Sequence, residues 1–172
     1  DVVYTDRGDR SAVIQVTGDL APLEIHIDPF DYKKPSGTAG TLSLKAFLTK
    51  GVLKEIQNLN LETNAFLLSD TRLIFAPMNG KQAELRRGTA KKAVIGATHM
   101  TSLDFEVTGQ DILKVSASGP VLDAQPFTSR EEKEKPSGEK QQPMMISVRA
   151  DKMITKDDRS LKNTNLYVET DR

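Results

Sequence analysis

Three side chains that could bind a metal or transfer protons stand at alternate positions near the start of the sequence. Glu24, His26 and Asp28 are separated by Ile25 and Ile27. Alternate residues of a strand point to the same face at about 7 Å spacing, so the three side chains would form one polar row. A metal site or an acid–base pair is conceivable there. Such a row is more often the solvated face of a half-buried strand, and we expect that structure here.

The remaining candidates for chemistry are a second histidine and one basic cluster. His99 lies in a short polar stretch, with no identifiable partner to orient it as a general base. Arg86-Arg87 and Lys91-Lys92 have no aromatic residues between them, which favours a solvated strand end over a nucleic-acid platform. The motifs of hydrolases, kinases, dinucleotide-binding proteins and zinc proteases do not occur. We therefore expect no enzyme activity, no cofactor and no metal.

Composition further limits the kinds of molecule that this chain could bind. The 172 residues include 24 Lys plus Arg and 24 Asp plus Glu, so no net charge favours nucleic acid. The sequence has no cysteine, which excludes disulfides and thiolate sites. No apolar run is long enough for a transmembrane helix. Hydrophobic residues make up 37%, a low share that predicts a thin core or one open on one side. The first residue is Asp1, and we expect a fragment of a longer protein.

The elements that would hold these residues are strands, because apolar residues recur with period two. Leu23, Ile25 and Ile27 alternate with polar residues. The same alternation spans residues 42–48, 103–107 and 146–150. Further strand candidates are Val2–Thr5, Ala12–Thr17, Ile56–Leu61, Phe66–Ile74, Lys81–Arg86, Ile112–Ala117 and Leu166–Thr170. Residues 53–59 have weak helical spacing, but they have no capping signal and are interpreted as strand. The prediction is an all-β fold with little helix, an elongated and curved antiparallel sheet built from stacked strand repeats.

Turn and loop signals suggest how the strands are organised. Asn79-Gly80 is the strongest turn and should make residues 73–76 and 81–86 neighbours. Residues 126–143 carry many charges and almost no aliphatic side chain, which predicts a flexible loop. An echo between residues 58–63 (NLNLET) and 163–170 (NTNLYVET) suggests a repeat architecture. We expect one β region at 1–125, the loop at 126–143 and the start of the next β unit at 144–172.

The apolar faces of the strands leave two possibilities open. If the sheet closes on itself, these residues are simply core. If it remains a long curved groove, they line an apolar channel wide enough for acyl chains, and the low apolar content and scarcity of helix favour this second possibility. The candidate lipid-contacting residues are Leu42, Leu44, Leu48, Leu103, Phe105, Val107, Val115, Ile146 and Val148.

Short motifs also recur in a fixed order along the sequence. Residues 18–22 read GDLAP, residues 32–37 read YKKPSG and residues 119–126 read GPVLDAQP. Strand-like segments follow at 42–46 (LSLKA), 51–61 (GVLKEIQNLNL), 145–153 (MISVRADKM) and 160–163 (SLKN). This order resembles the AsmA-like superfamily, specifically the YhdP- and TamB-type bridge-like lipid transport proteins of the Gram-negative envelope.

The resemblance implies an internal fragment of an envelope protein. Such a protein would be tethered to the inner membrane by a segment outside this sequence and would cross the periplasm as a β groove. Its partners would be phospholipid acyl chains that move toward the outer membrane, and it would need no catalytic residue. The alternative is a structural or assembly module of a secreted or surface protein, with its strands closed into a sandwich. A sandwich predicts that Leu44 and Phe105 are fully buried by protein, whereas a groove predicts that they face an opening.

Overall fold

The chain is almost entirely β-structure. The computed structural model describes residues 1–27, 32–78, 82–128, 143–156 and 159–170. Within these ranges the only helix is α1 (Gln125–Thr128), and the rest of the regular structure is strand. The strands are β1 (Val2–Gly8), β2 (Ser11–Asp19), β3 (Ile25–Ile27), β4 (Tyr32–Lys34), β5 (Gly40–Thr49), β6 (Val52–Thr63), β7 (Phe66–Met78), β8 (Gln82–Ala90), β9 (Lys92–Ile95), β10 (Thr98–Met100), β11 (Ser102–Val107), β12 (Leu113–Asp123), β13 (Met144–Ile154) and β14 (Ser160–Thr170).

Twelve of the strands form one sheet, and the short hairpin β3–β4 forms a second. β8 and β9 pair with successive parts of β7, and β11 and β10 then pair with β8 and β9. The large sheet therefore follows chain order from β1 through β2, β5 and β6 to β7. Two short parallel tracks come next, β8 then β11 and β9 then β10, and both lead to β12, β13 and β14. All neighbours are antiparallel except β12 and β13, which are parallel. The predicted all-β fold with a large antiparallel sheet and little helix is confirmed.

Several local predictions are also confirmed. Residues 53–59 belong to strand β6, as predicted. β7 and β8 are antiparallel neighbours with Met78 opposite Gln82, although the turn residues 79–81 lie outside the described ranges. β4, β9 and β10 were not predicted, because segments of three or four residues are too short for a period-two pattern.

The proposed boundary between the two β units falls between β12 and β13, which are the parallel pair of strands in the sheet. Most of the predicted loop, residues 129–142, lies outside the described ranges. After it, β13 pairs with β12 from Met144 to Ile154. Residues from 144 onward therefore extend the same sheet. The division into a β region at 1–125, a loop at 126–143 and the start of a next β unit at 144–172 stays a prediction.

The β3–β4 hairpin packs against one end of the large sheet. Its Tyr32 hydroxyl hydrogen-bonds Thr63 Oγ1, and its ring lies 5.5 Å from the ring of Phe66. The segment that leads into the hairpin buries Leu20, and a Cβ on Gly40 would lie 3.2 Å from the Leu20 Cβ. We call Leu20, Tyr32 and Lys34 the plug, because all three side chains are buried at this end of the sheet.

Lys34 is the most deeply buried side chain of the plug, with 0% exposure. Its Nζ donates hydrogen bonds to the carbonyl oxygens of Leu20 and Leu23, both at 2.7 Å, and to that of Pro35 at 3.4 Å. These carbonyls belong to irregular backbone that has left the sheet ladder, so the amino group supplies the donors that a strand partner would provide. The YKKPSG motif therefore has a structural role in this chain.

Two hairpins of the sheet repeat the same geometry. In β1–β2, Val2 pairs with Val16 and Tyr4 with Ile14, whereas in β11–β12, Leu103 pairs with Ala117 and Phe105 with Val115. Five of the six pairs of the second hairpin are pairs of the first displaced by the same number of residues. The echoing segments also share a feature, since Asn58 and Asn163 both have a positive φ of 51°. The two hairpins have little sequence similarity, so the repetition lies in their strand register.

Replacement of Lys34 by Met should destabilise the fold by about 2–4 kcal/mol, because buried carbonyls that accept from a charged donor would lose it. Urea unfolding followed by circular dichroism measures this change. Lys33→Met is the matched control, because Lys33 lies on the same strand with its side chain 61% exposed and makes only a surface ion pair with Glu24. A Lys34→Met variant as stable as Lys33→Met would contradict the role assigned to the plug.

Candidate functional site

The register of the sheet places an unbroken row of apolar residues across its whole width. Residues directly opposite each other on paired strands share a face, so partner pairs can be followed from one edge to the other. This row, which we call the apolar row, takes one residue from each strand position: Tyr4, Ile14, Ala46, Ile56, Leu73, Gly88, Phe105, Val115, Ile146 and Val168. The face that contains it is the apolar face.

The adjacent row on the opposite face contains charged residues. It runs through Thr5, Val13, Phe47, Glu55, Ile74, Arg87, Glu106, Lys114, Met145 and Glu169. Five of these ten residues are charged, whereas the apolar row has no charged residue. The sheet is therefore two-sided along its full width, as the alternation within single strands predicted.

All nine residues predicted to line a groove lie on the apolar face. Phe105, Val115 and Ile146 are in the apolar row itself. The other six occupy the same face, because each is an even number of residues from the row on a regular strand: Leu42, Leu44, Leu48, Leu103, Val107 and Val148. Their contact with lipid stays a prediction.

Most of the apolar face is only half-buried. Leu44 and Phe105 are of intermediate exposure, and of the nine predicted residues only Val148 is buried, at 9%. Among the described residues, no second large sheet packs on this face, and the plug occupies one end. A second part of the face is closed core, where Ala93, Met100, Leu122 and Ala150 are buried together with Val148. The apolar face is thus half-buried over β5 and β11 and closed near β9 and β13.

Gly88 and Phe105 form the tightest contact of the apolar row. A Cβ on Gly88 would lie 2.3 Å from Cε1 of Phe105 and 2.9 Å from Cδ2 of Leu73. The Phe105 ring therefore lies directly over the backbone of β8, which only glycine permits. Sequence reasoning missed this glycine, although a glycine inside a strand is a signal of close approach.

The polar face balances its charges locally. Arg87 lies 3.4 Å from Asp104, Lys91 lies 2.6 Å from Asp70, and Arg86 lies 2.7 Å from Glu84. The hydrogen bond and charge of Asp70 raise the pKa of Lys91 above its ordinary value. Three members of the basic cluster therefore have carboxylate partners, which fits a solvated strand end.

The surroundings of Glu55 on the polar face shift the pKa of its carboxyl in opposite directions. Burial raises the pKa of its carboxyl, but hydrogen bonds from Arg72 and Gln57 outweigh burial, and the net shift is downward. Two open clefts of about 520 and 690 Å³ are also lined mainly by polar residues of this face.

The residues predicted for possible chemistry do not form a catalytic cluster in the described part of the chain. Glu24 pairs with Lys33 at 2.9 Å, and the hydrogen bond and charge of Lys33 lower the pKa of the Glu24 carboxyl. His26 is exposed on β3, opposite Lys33, and Asp28 lies outside the described ranges. His99 is exposed on β10, opposite Val94 and Val121.

The described residues contain neither a metal-binding cluster nor a membrane-spanning helix. In those ranges no group of three or more His, Asp or Glu side chains is placed to hold a metal ion. Across the same ranges, no helix has the length and apolar character needed to cross a bilayer.

Comparison of the chain with protein-family models, with curated proteins and with solved structures finds no match. The AsmA-like resemblance therefore rests on the motifs quoted above.

Substitution of Gly88 by Ala should destabilise the fold by about 1–3 kcal/mol, because the new methyl group must displace the Phe105 ring. Urea unfolding measures the cost. Gly18→Ala is the control, since Gly18 also lies in a strand on the apolar face and a Cβ there would meet nothing within 4 Å. The cost at Gly88 should shrink in a Phe105→Leu background, and equal costs in both backgrounds would refute the contact.

Proposed function

We propose that the apolar face shelters phospholipid acyl chains, and that the chain is a segment of an envelope protein that moves phospholipid between two membranes. The observation that carries the proposal is the apolar row, which crosses every strand position of the sheet without a charged residue. Its exposure fits this use, because half-buried aliphatic side chains leave surface for a ligand to cover.

The energetics of such a surface suit transport. Each acyl methylene removed from water contributes about 0.8 kcal/mol, so many weak contacts hold a chain without a specific pocket. A lipid can then move along the face by exchanging one methylene contact for the next. The mechanism requires continuity of apolar contacts and a stable strand register, and it requires no catalytic group.

The AsmA-like resemblance adds the setting to this proposal. It places the segment in the periplasm, within a protein tethered to the inner membrane outside this sequence. Phospholipid would be the cargo, and nucleic acid would not be a partner.

A structural β module is the second candidate function. The closed core of Ala93, Met100, Leu122, Val148 and Ala150 favours it, because this part of the apolar face is already covered by protein. If another protein surface covers the half-buried part as well, the segment serves assembly instead of transport. The two candidates therefore differ in what covers Leu44 and Phe105.

A photocrosslinking amino acid at Leu44 or Phe105 should capture phospholipid, because both side chains lie on the half-buried part of the apolar face. The experiment is performed in cells on the full-length protein, followed by mass analysis of the adducts. Lys45 and Asp104 are matched controls, since each is the sequence neighbour of a test site and points to the polar face. Protein adducts without lipid at Leu44 and Phe105 would instead support the structural module.

Leu44→Asp should abolish lipid binding, because an unpaired carboxylate on the apolar face is strongly disfavoured next to acyl chains. Lys45→Asp should leave lipid binding nearly unchanged. The readout is phospholipid extracted from the purified protein, with circular dichroism to verify that both variants are folded. Equal lipid content in the two folded variants would argue against the apolar face as the lipid path.

A further inference from the structure

The plug packs on the apolar face at the start of β5. Gly40 is the first residue of this strand, pairs with Thr63 of β6 and lies on the same face as Leu42. A Cβ on Gly40 would lie 3.2 Å from the Cβ of Leu20 and 3.2 Å from Cγ2 of Thr63. Leu20 therefore covers the apolar-face position that follows Leu42 toward this end of the sheet.

Tyr32 covers the adjoining ends of β6 and β7. Its hydroxyl hydrogen-bonds Oγ1 of Thr63, and its ring lies 5.5 Å from the ring of Phe66. Tyr32 and Leu20 are both more than nine-tenths buried, and the Lys34 amino group holds the backbone between them in place. The plug is therefore a fixed wall across the ends of three neighbouring strands.

Between the plug and the other end of β5, the apolar face is a continuous, half-buried strip. It takes every second residue of β5, and none of them is charged: Leu42, Leu44, Ala46 and Leu48. Val16 of β2 and Ile56 of β6 flank the strip on its two sides. From Leu42 to Leu48 the strand advances about 20 Å, at about 3.4 Å per residue. C–C bonds of about 1.5 Å advance an extended acyl chain by about 1.3 Å per carbon, so about 16 carbons match this length.

The strip ends, away from the plug, at two adjacent turns. The Lys50 backbone N–H donates a hydrogen bond of 2.6 Å to the carbonyl oxygen of Arg10, which joins the β5–β6 turn to the β1–β2 turn. Both residues are exposed, and the two turns contain these two cations and one carboxylate, Asp9. This end therefore suits an anionic lipid head, whereas the opposite end is covered by protein.

We infer that an acyl chain lies along β5 with its methyl end against Leu20 and its anionic head at the turns of Arg10 and Lys50. The plug then limits the bound chain to about 16 carbons. Carbons beyond this limit stay in water or force the chain to bend, so they add no affinity. The inference rests on the proposed lipid binding and adds a direction and a length limit to it.

The chain-length profile of the wild-type protein tests the limit without any substitution. Single-chain phospholipids of about 10 to about 20 carbons compete with a fluorescent fatty acid for the whole chain, each below the concentration at which it forms micelles. Affinity should rise at least about threefold with each added pair of carbons up to about 16, because each pair removes two more methylenes from water. From about 16 to about 20 carbons it should change by less than about twofold.

The two ways in which this experiment could contradict us are distinct. A profile that rises without a break to the longest lipid would overturn the length limit and leave lipid binding intact. If none of the lipids binds, lipid binding itself is refuted, and the inference that rests on it is refuted too.

Leu20→Ala should lengthen the strip, because it removes the side chain that lies next to Gly40. A lipid of about 18 carbons should then bind at least about threefold more tightly than one of about 16. Leu23→Ala is the matched control, since Leu23 belongs to the same segment but is 53% exposed, and it should keep the wild-type profile. Urea unfolding verifies that both variants are folded. A folded Leu20→Ala variant with the wild-type profile would overturn the role of the plug as the limit.

A photoreactive diazirine at either end of a bound fatty acid tests the direction on the wild-type protein. At the methyl end it should label peptides that contain Leu20 or Leu42, and next to the head it should label peptides that contain Arg10 or Lys50. Mass analysis of the digested protein locates the adducts. Reversed labelling, or equal labelling of both regions by both probes, would overturn the direction.

Discussion

Strand register is the constraint on which the rest of this structure depends. Because side chains alternate between faces, a slip of one residue between two strands would move the apolar residues of one strand to the polar face. The apolar row exists only because nine successive pairings all preserve this parity, including the parallel pairing of β12 with β13. Bulges interrupt β6 and β7, yet Ile56 and Leu73 remain on the same face as Ala46. A large, mostly single-layer sheet has few other means of keeping its apolar side chains together.

Two tight contacts help to fix that register. At one end, Tyr32 of the plug contacts Thr63 and Phe66 of the large sheet, and the Lys34 amino group holds the irregular backbone of the plug in place. In the middle, the Phe105 ring fits over Gly88, and neither neighbour of Gly88 on β8 is a glycine. Polar contacts add to this on the other side, where the Asn60 side chain accepts a hydrogen bond from the Asp70 backbone and donates to the Asn58 carbonyl. The Tyr32–Phe66, Phe105–Gly88 and Asn60–Asp70 contacts involve different residue types, but each one depends on how its two elements are aligned.

The surface proposed for lipid follows from a sheet whose apolar face has no second large sheet packed on it in the described ranges. Half-buried aliphatic side chains on that face remain available to acyl chains. The two ends of the apolar row, Tyr4 and Val168, are its exposed members, at 63% and 37%. The residues between them are half-buried or buried, so the apolar row is most accessible at its two ends.

The sequence alone determined the β class, most of the strands and the apolar side of each strand, because period-two alternation is a local property. It therefore also identified the nine candidate groove residues within their own strands. Tertiary structure decided that these separate sides coincide, since pairing register depends on residues far apart in the chain. It also decided that Lys34 is buried while Lys33 is exposed, that Glu24 pairs with Lys33, and that Gly88 lies under Phe105. Such facts depend on which backbone approaches which side chain, and no local pattern encodes that approach.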